Sequence, residues 1–407
     1  MLQKNINLSN LAPIVLFTYN RPWHTQQTIE ALQKNELAKE SELFIFSDGG
    51  KDETSWEKVN EVREYLKTIN SFKKVILTFQ DKNIGLADSI ISGVTKIVNQ
   101  YGKIIVLEDD HVTNKFFLKF MNDALNFYEN EEKVWHISGW NYPISNENLE
   151  DVFLWRTMNC WGWATWKDRW SEYKKNPQKL ISIFSEKDIC EFNLDNATNF
   201  WEQVEKNHNK QMNTWAIFWY AIIFKNQGLC LNPTQSFVEN IGFDGTGTNT
   251  GPRDNYSSNL SRQNYKIRFE NNLIENKTAT DRIKLFFREN ENKNLTFSKN
   301  LNKVFDLLSS LKISSDKYIL YGSGTGMDLV SNFLEENIEF IIDNDIKKHN
   351  SYKNGFKIIG LPYFKDYDTN SKIIITVFGR ASQIIETLSK EYQIPKDRLI
   401  SLDIFEN

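Results

Sequence analysis

The chain has 407 residues, with 49 Lys and Arg against 53 Asp and Glu and a net charge of -4, a balance that gives no electrostatic basis for binding nucleic acid. A content of 40% hydrophobic and 25% charged residues fits a globular protein and excludes a disordered or fibrous one. No apolar run approaches the roughly 18 residues of a membrane span, and peripheral membrane contact stays open.

The length suggests two or three domains. Cys160, Cys190 and Cys230 are odd in number and lack C-x-x-C spacing, which argues against a disulfide framework or a zinc site. Reduced thiols and a cytoplasmic location are expected. The first apolar stretch, Ala12 to Phe17, ends in polar residues and reads as a buried strand rather than a signal peptide.

In chain order, Pro13 to Thr18 predicts a strand and His24 to Lys34 a helix. Leu43 to Ser47 predicts the next strand, ending at Asp48-Gly49-Gly50, and Val75 to Phe79 a third. A helix from about Leu86 places Leu86, Ile90, Val94 and Ile97 on one face. Lys103 to Leu107 is a fourth strand, followed by a helix with Phe117, Phe120, Met121, Ala124 and Tyr128 at helical spacing. Strands alternating with helices imply an α/β fold with a mainly parallel sheet covered on both faces. Ligands bind beyond the carboxyl ends of such strands. All 12 tryptophans lie at or before Trp219, so the C-terminal part differs in character.

The fourth strand runs directly into Glu108-Asp109-Asp110. Three adjacent acids repel, and a cation relieves that cost. Hard divalent ions prefer oxygen ligands, often one or two carboxylates plus substrate phosphates. A solvated turn is the alternative on these three residues alone. Thr18-Tyr19-Asn20-Arg21-Pro22, Ser47-Asp48-Gly49-Gly50 and Asn83-Ile84-Gly85 supply further polar groups at the same sheet edge, the last before a helix whose N-terminus suits phosphate.

With these motifs the sequence resembles GT-A glycosyltransferases, and within them the N-acetylglucosaminyltransferase I-like group with its bacterial surface-polysaccharide homologues. Val134 to Asn141, the Trp161-Gly162-Trp163-Ala164-Thr165-Trp166 segment, and Gly228 to Gly247 follow in the matching order, over residues 12 to 255. The resemblance implies a metal-dependent, inverting transferase moving a hexosyl or N-acetylhexosaminyl group from a UDP-sugar to a surface glycan or lipid-linked oligosaccharide. It implies Mn2+ or Mg2+ held by Asp110, Glu108 and Asp109 at the donor sugar and ribose, Asp48 near the base, and Thr18 and Arg21 along the uridine or diphosphate pocket. Asn20, Asn83 and Gly85 join this donor-binding set.

The sequence departs from the family where the proton-accepting acid should follow a tryptophan: Trp215 is followed by Ala216. Asp244, with Glu239 behind it, is the substitute candidate, and a local turn is its other explanation. A catalytically silent glycan-binding or scaffold subunit is the rival reading. Asn249 stands where relatives carry a histidine. His111 either binds metal or caps the next helix or faces solvent, the latter pair being favoured. Trp163, Trp166 and Trp170 have helical spacing and read mostly as core, with one or two tryptophans of the 161 to 170 stretch left to stack on sugar.

Expected domains are residues 1–264, a partly helical connector over 265–316, and a Rossmann-like module over 317–407. In the module, Tyr318 to Tyr321 leads into Gly322-Ser323-Gly324-Thr325-Gly326-Met327, near a dinucleotide fingerprint but with its third glycine one place early, and Asp343 lies where a ribose-binding acid is expected. With Ile342 to Asp345 and Ile359 to Pro362, this part resembles small Rossmann-like modules attached to polysaccharide-biosynthesis enzymes. A nucleotide-binding or a docking role follows from that resemblance.

Overall fold

The structure is a computed structural model that describes residues 10–245, 256–257, 260, 264–314, 316–366 and 370–402. The chain forms two compact units, residues 1–288 and 289–407.

The first unit opens with β1 (Ile14–Thr18), α1 (Pro22–Gln33), β2 (Glu42–Ser47), α2 (Glu53–Leu66), β3 (Lys74–Phe79), α3 (Leu86–Tyr101), β4 (Lys103–Glu108), β5 (His111–Thr113) and α4 (Phe117–Phe127). It continues with β6 (Val134–Ser138), β7 (Val152–Trp155), β8 (Trp163–Trp166), α5 (Lys167–Trp170), α6 (Pro177–Ile183), α7 (Glu186–Phe192), α8 (Trp201–His208), α9 (Ala216–Lys225), β9 (Leu229–Pro233) and β10 (Val238–Asn240). Eight strands make one sheet in the order β3-β2-β1-β4-β8-β6-β9-β7.

Strands β1 to β4 are parallel neighbours, as expected. Beyond them the sheet is mixed: β8 runs antiparallel to both β4 and β6, and β7 antiparallel to β9. β1 and β4 are continuous apolar runs because helices cover both faces, and Ile14, Val15, Leu16, Ile104, Ile105, Val106 and Leu107 are wholly buried. α1 starts earlier than the expected His24, because Pro22 pre-sets the first helical turn and removes an N–H that would have no partner. In α3, Ile90, Val94 and Ile97 are buried as the pattern implies, but Leu86 is 41% exposed. The helical spacing of Trp163, Trp166 and Trp170 is accidental: a strand and then a single helical turn carry them, and all three are buried.

Residues 265 to 276 carry Tyr265, Ile267, Phe269 and Leu273 onto the first unit's core, and α10 (Lys277–Ile313) follows as one continuous helix. No helix among the described residues is long and apolar enough to cross a membrane.

The second unit contains β11 (Tyr318–Tyr321), α11 (Thr325–Leu334), β12 (Ile338–Ile342), β13 (Tyr352–Lys353), β14 (Phe356–Ile359), β15 (Lys372–Ile375), α12 (Ala381–Glu391) and β16 (Leu399–Ser401). Its sheet order is β13-β14-β12-β11-β15-β16, parallel except for the β13–β14 pair. The switch point of this open sheet falls between β11 and β15.

Candidate functional site

The polar clusters at the carboxyl ends of β1, β2 and β4 meet around one cavity of about 110 Å³. Its lining includes Thr18, Asn20, Arg21, Asp48, Asn83, Gly85, Glu108 and Asp109, together with Tyr19, Lys51, Leu86 and Ser89 and the rings of Phe17 and Phe46. Parallel pairing explains the convergence: Phe17 of β1 lies beside Phe46 of β2 and Glu108 of β4, so the segments that follow leave the sheet at one level.

The acids are held by a guanidinium. Arg21 Nη2 donates to Asp109 Oδ1 and, at 2.8 Å, to Asp110 Oδ2. Arg21 is at the N-cap position of α1, where a side chain usually caps the helix, but its side chain is turned to the acids and makes no cap. Asp109 Oδ2 also accepts from the Tyr19 amide at 3.3 Å, and Thr28 Oγ1 donates to the Asp109 carbonyl. Burial alone would lower the Arg21 pKa, and the two carboxylates more than offset it, holding the group above its ordinary value. Burial raises the Asp109 carboxyl despite Arg21. Glu108 is pushed up to about 8, by burial first and then by Asp110 and Asp109.

His111 is 1% exposed, so it does not face solvent, and the following helix α4 has no side-chain cap. Its Nδ1 accepts from the amides of Glu108 and Gly162 at 3.0 and 3.3 Å. That leaves the proton on Nε2, 3.5 Å from Asp110 Oδ1. Burial pushes its pKa down to about 4, so the neutral ring fixes the turn that carries the acids. Nothing in the sequence pattern announced this role, because the amide of Gly162 comes from 51 residues away.

Asp48 is 7% exposed and its carboxylate is fully engaged. Oδ1 accepts from the amides of Gly49 and Ile84, each at 2.9 Å; Oδ2 accepts from the Gly85 amide at 2.9 Å and Asn83 Nδ2 at 3.1 Å. It therefore shapes the β3–α3 loop that forms one wall of the cavity. Beneath it, Arg63 donates to the carbonyls of Ser47, Asp48 and Gln80.

Three buried polar atoms on cavity-lining residues, Thr18 Oγ1, Arg21 Nη1 and Ser89 Oγ, find no hydrogen-bond partner among the described residues. Buried polar atoms are nearly always paired. Three orphans around one cavity are the pattern expected where a polar ligand supplies the missing partners.

Asp110 is not part of the cavity lining. β10 pairs antiparallel with β5, setting Asn240 opposite His111 and Glu239 opposite Val112. The chain then crosses Asp110: the Ile241 amide donates to its carbonyl, and a Cβ on Gly242 would meet its Oδ2 at 2.2 Å. Only glycine fits there. Asp244 follows, exposed, with Oδ2 3.1 Å from His24 Nε2 on α1. Glu239 Oε1 accepts from Ser257 Oγ at 3.2 Å. Asn249 lies outside the described residues. At the position where the resemblance leads us to expect the base, Trp215 is buried and stacked on Trp163, with no acid beside it in sequence.

The carboxylate oxygens suit a hard divalent ion in kind. Among the described residues, however, no group of three His, Cys, Asp or Glu side chains is arranged to hold one. Arg21 takes the place between Asp109 and Asp110. Of the 161 to 170 tryptophans only Trp161 is partly exposed; it contacts Trp140, Phe243 and Tyr256, with Phe243 and Tyr256 stacked at 5.7 Å.

In the second unit a cavity of about 420 Å³ opens at the switch point, lined by Gly322, Ser323, Gly324, Asp343, Lys348 and Arg380 among others. Gly326, one place early for the fingerprint, still serves close packing, since a Cβ there would meet the Thr376 carbonyl oxygen at 2.1 Å. The Asp343 carboxylate is taken by the Ser323 amide and hydroxyl, Lys348 and the Asp345 amide. Three of these donors converge on Oδ2, and Oδ1 accepts only from the Asp345 amide.

These titrating groups predict a stability profile for the metal-free protein. His111 and His136 are both pushed down to about 4 by burial. Between pH 4 and 6.5 the unfolded chain therefore binds more protons at these two sites, and their contribution grows as pH rises. Glu108, raised to about 8, acts oppositely: from about 4.5 to 8 the folded state binds the extra proton and stability falls. Asp109, also raised by burial, acts in the same direction as Glu108, so acids and histidines oppose one another below about pH 6.5. Urea midpoints in EDTA should decline from about pH 6.5 toward pH 8, where the histidines no longer contribute a slope, and Glu108→Gln should flatten the decline. A decline of unchanged slope in that variant would remove Glu108 as its source.

No protein-family model matches the chain. No curated protein matches it either. Among solved structures it is similar to the mannosyltransferase PcManGT from Pyrobaculum calidifontis in complex with GDP-Man and Mn2+, at 8% identity over 54% of this chain and 70% of that one, TM-score 0.34. It is similar to S. aureus TarS 1-349 at 12% identity over 56% of this chain and 59% of that one, TM-score 0.33. A third is mouse xyloside xylosyltransferase 1, apo form, at 12% identity over 53% and 82%, TM-score 0.29. Likeness at this level carries no argument about activity.

Proposed function

We propose that the first unit is a GT-A-type glycosyltransferase that takes a sugar from a nucleoside diphosphate, a UDP-sugar, and passes it to a surface-glycan or lipid-linked oligosaccharide acceptor. The observation that carries this reading is the cavity at the carboxyl ends of β1, β2 and β4, with three orphaned polar atoms and the acids at its rim. In this reading Thr18, Ser89 and the free arm of Arg21 bind donor oxygens. Asp48 and Asn83 hold the β3–α3 loop against the nucleoside. Asp110, with Asp109 and Glu108 beside it, would hold Mn2+ or Mg2+, which neutralises charge developing on the leaving diphosphate.

The transfer is an inverting displacement. The acceptor oxygen bonds to the anomeric carbon as the bond to the diphosphate breaks, the diphosphate leaves with the electron pair, and a carboxylate takes the acceptor's proton. Asp244 is the proposed base, with Glu239 as its neighbour on β10; Trp161 offers the acceptor a ring. The enzyme is placed in the cytoplasm at the inner face of the membrane, which fractionation tests.

The absent acid after Trp215 favours a second reading, a silent glycan-binding subunit. A thermal-shift screen of nucleotide sugars with and without Mn2+ tests donor binding, since a ligand of the folded state raises its stability by mass action. Transfer assays on the stabilising donor then separate the readings. Asp244→Ala should lower kcat by about 10²–10⁴-fold, the usual worth of general base help. An unchanged rate would move the base elsewhere; donor binding without transfer to any acceptor supports the silent subunit.

A further inference from the structure

We propose that Arg21 is an exchangeable internal counter-cation that bars the Asp109–Asp110 pair to a divalent ion until a nucleoside diphosphate draws its guanidinium away. The proposal rests on the donor-site reading above.

One nitrogen, Nη2, contacts both Asp109 Oδ1 and Asp110 Oδ2. A divalent ion takes carboxylate oxygens at roughly 2.0–2.6 Å. To bridge Asp109 Oδ1 and Asp110 Oδ2 it would have to sit where Nη2 now sits, so the two cations compete for one place. Asp110 cannot simply turn aside. Its Oδ1 lies 3.5 Å from His111 Nε2, and a Cβ on Gly242 would meet its Oδ2 at 2.2 Å, so backbone closes that side. Asp109 is likewise tied, through Oδ2, to the Tyr19 amide.

The second arm of the guanidinium shows where it goes. Nη1 is buried, unpaired and carried by a residue that lines the cavity. Thr18 Oγ1, on the same segment, is an orphan too. A diphosphate there offers Nη1 an anionic acceptor, and arginine binds phosphate through both arms at once. Once Nη2 follows Nη1 onto phosphate, the carboxylates face the metal open. Binding of diphosphate and metal is then coupled, and by linkage each tightens the other equally.

The test titrates MnCl2 into the full chain and reads free Mn2+ by electron paramagnetic resonance, with and without UDP. In the wild type UDP should tighten Mn2+ by roughly 5–150-fold, the usual range of coupling between sites. In Arg21→Ala, Mn2+ alone should bind more tightly than to the wild type, and the gain from UDP should shrink. Arg21→Gln, which keeps bulk but not charge, should behave alike and serves if the alanine variant misfolds. Equal or weaker Mn2+ binding in the variants overturns the proposal. So does tighter binding with an undiminished UDP gain, because that is charge removal without exchange. If UDP fails to tighten Mn2+ in the wild type, the donor-site reading falls as well.

Discussion

Asp110→Asn should abolish measurable sugar transfer while leaving the protein folded. Asp110 is 7% exposed as a residue, and its carboxylate shares Arg21 with Asp109. The amide keeps its shape but loses the charge that a metal or the guanidinium needs. Removing one preorganised charge-stabilising group typically costs about 10²–10³ in kcat, and loss of the metal adds to that. Folding should suffer little, because the change also relieves repulsion from Glu108, whose carboxyl is raised by Asp110 after burial. Single-turnover rates at saturating donor, with thermal unfolding as the control, read the effect. Turnover at the wild-type rate would show that the acids are structural.

The second large effect is expected at Asp48. Its carboxylate accepts three backbone amides and Asn83 Nδ2, all from the loops that wall the cavity. Hydrogen bonds to a charged group contribute about 1.5–3 kcal/mol each. Water replaces part of this in a wall that is only half-buried at Asn83, Ile84 and Gly85, so Asp48→Ala should cost about 2–4 kcal/mol rather than the sum. The urea midpoint should fall with the slope unchanged. Donor affinity should drop further than stability predicts, since the loop no longer holds its shape. Loss of affinity with no loss of stability would make Asp48 a direct ligand instead of a scaffold for the loop.

What the sequence revealed follows from what is local in it. β1, β2 and β4 are apolar runs that end in polar residues, so the alternation and the polar edge carrying Thr18, Arg21, Asp48 and the acids were visible from the pattern. The antiparallel β8 was not, because its two tryptophans at positions 163 and 166 imitate helical spacing through the junction with α5. Leu86 obeys the helical pattern yet is exposed, because as the first residue of α3 it lines the cavity. The roles of His111, Arg63 and Arg21 were hidden for a common reason. Each is defined by partners distant in the chain, such as Arg21 and Asp109, 88 residues apart. The Asp244–His24 contact is of the same kind.

The central claim is that a nucleoside diphosphate lies between Arg21 and the acids. Crystals grown with UDP and Mn2+ and measured at the manganese edge test it most directly. The account predicts an anomalous peak within bonding distance of Asp110 and the diphosphate on the Arg21 guanidinium, beyond the ends of β1 and β4. Nucleotide bound solely at the Gly322–Gly324 turn, with Arg21 still closed on Asp109 and Asp110, would contradict it.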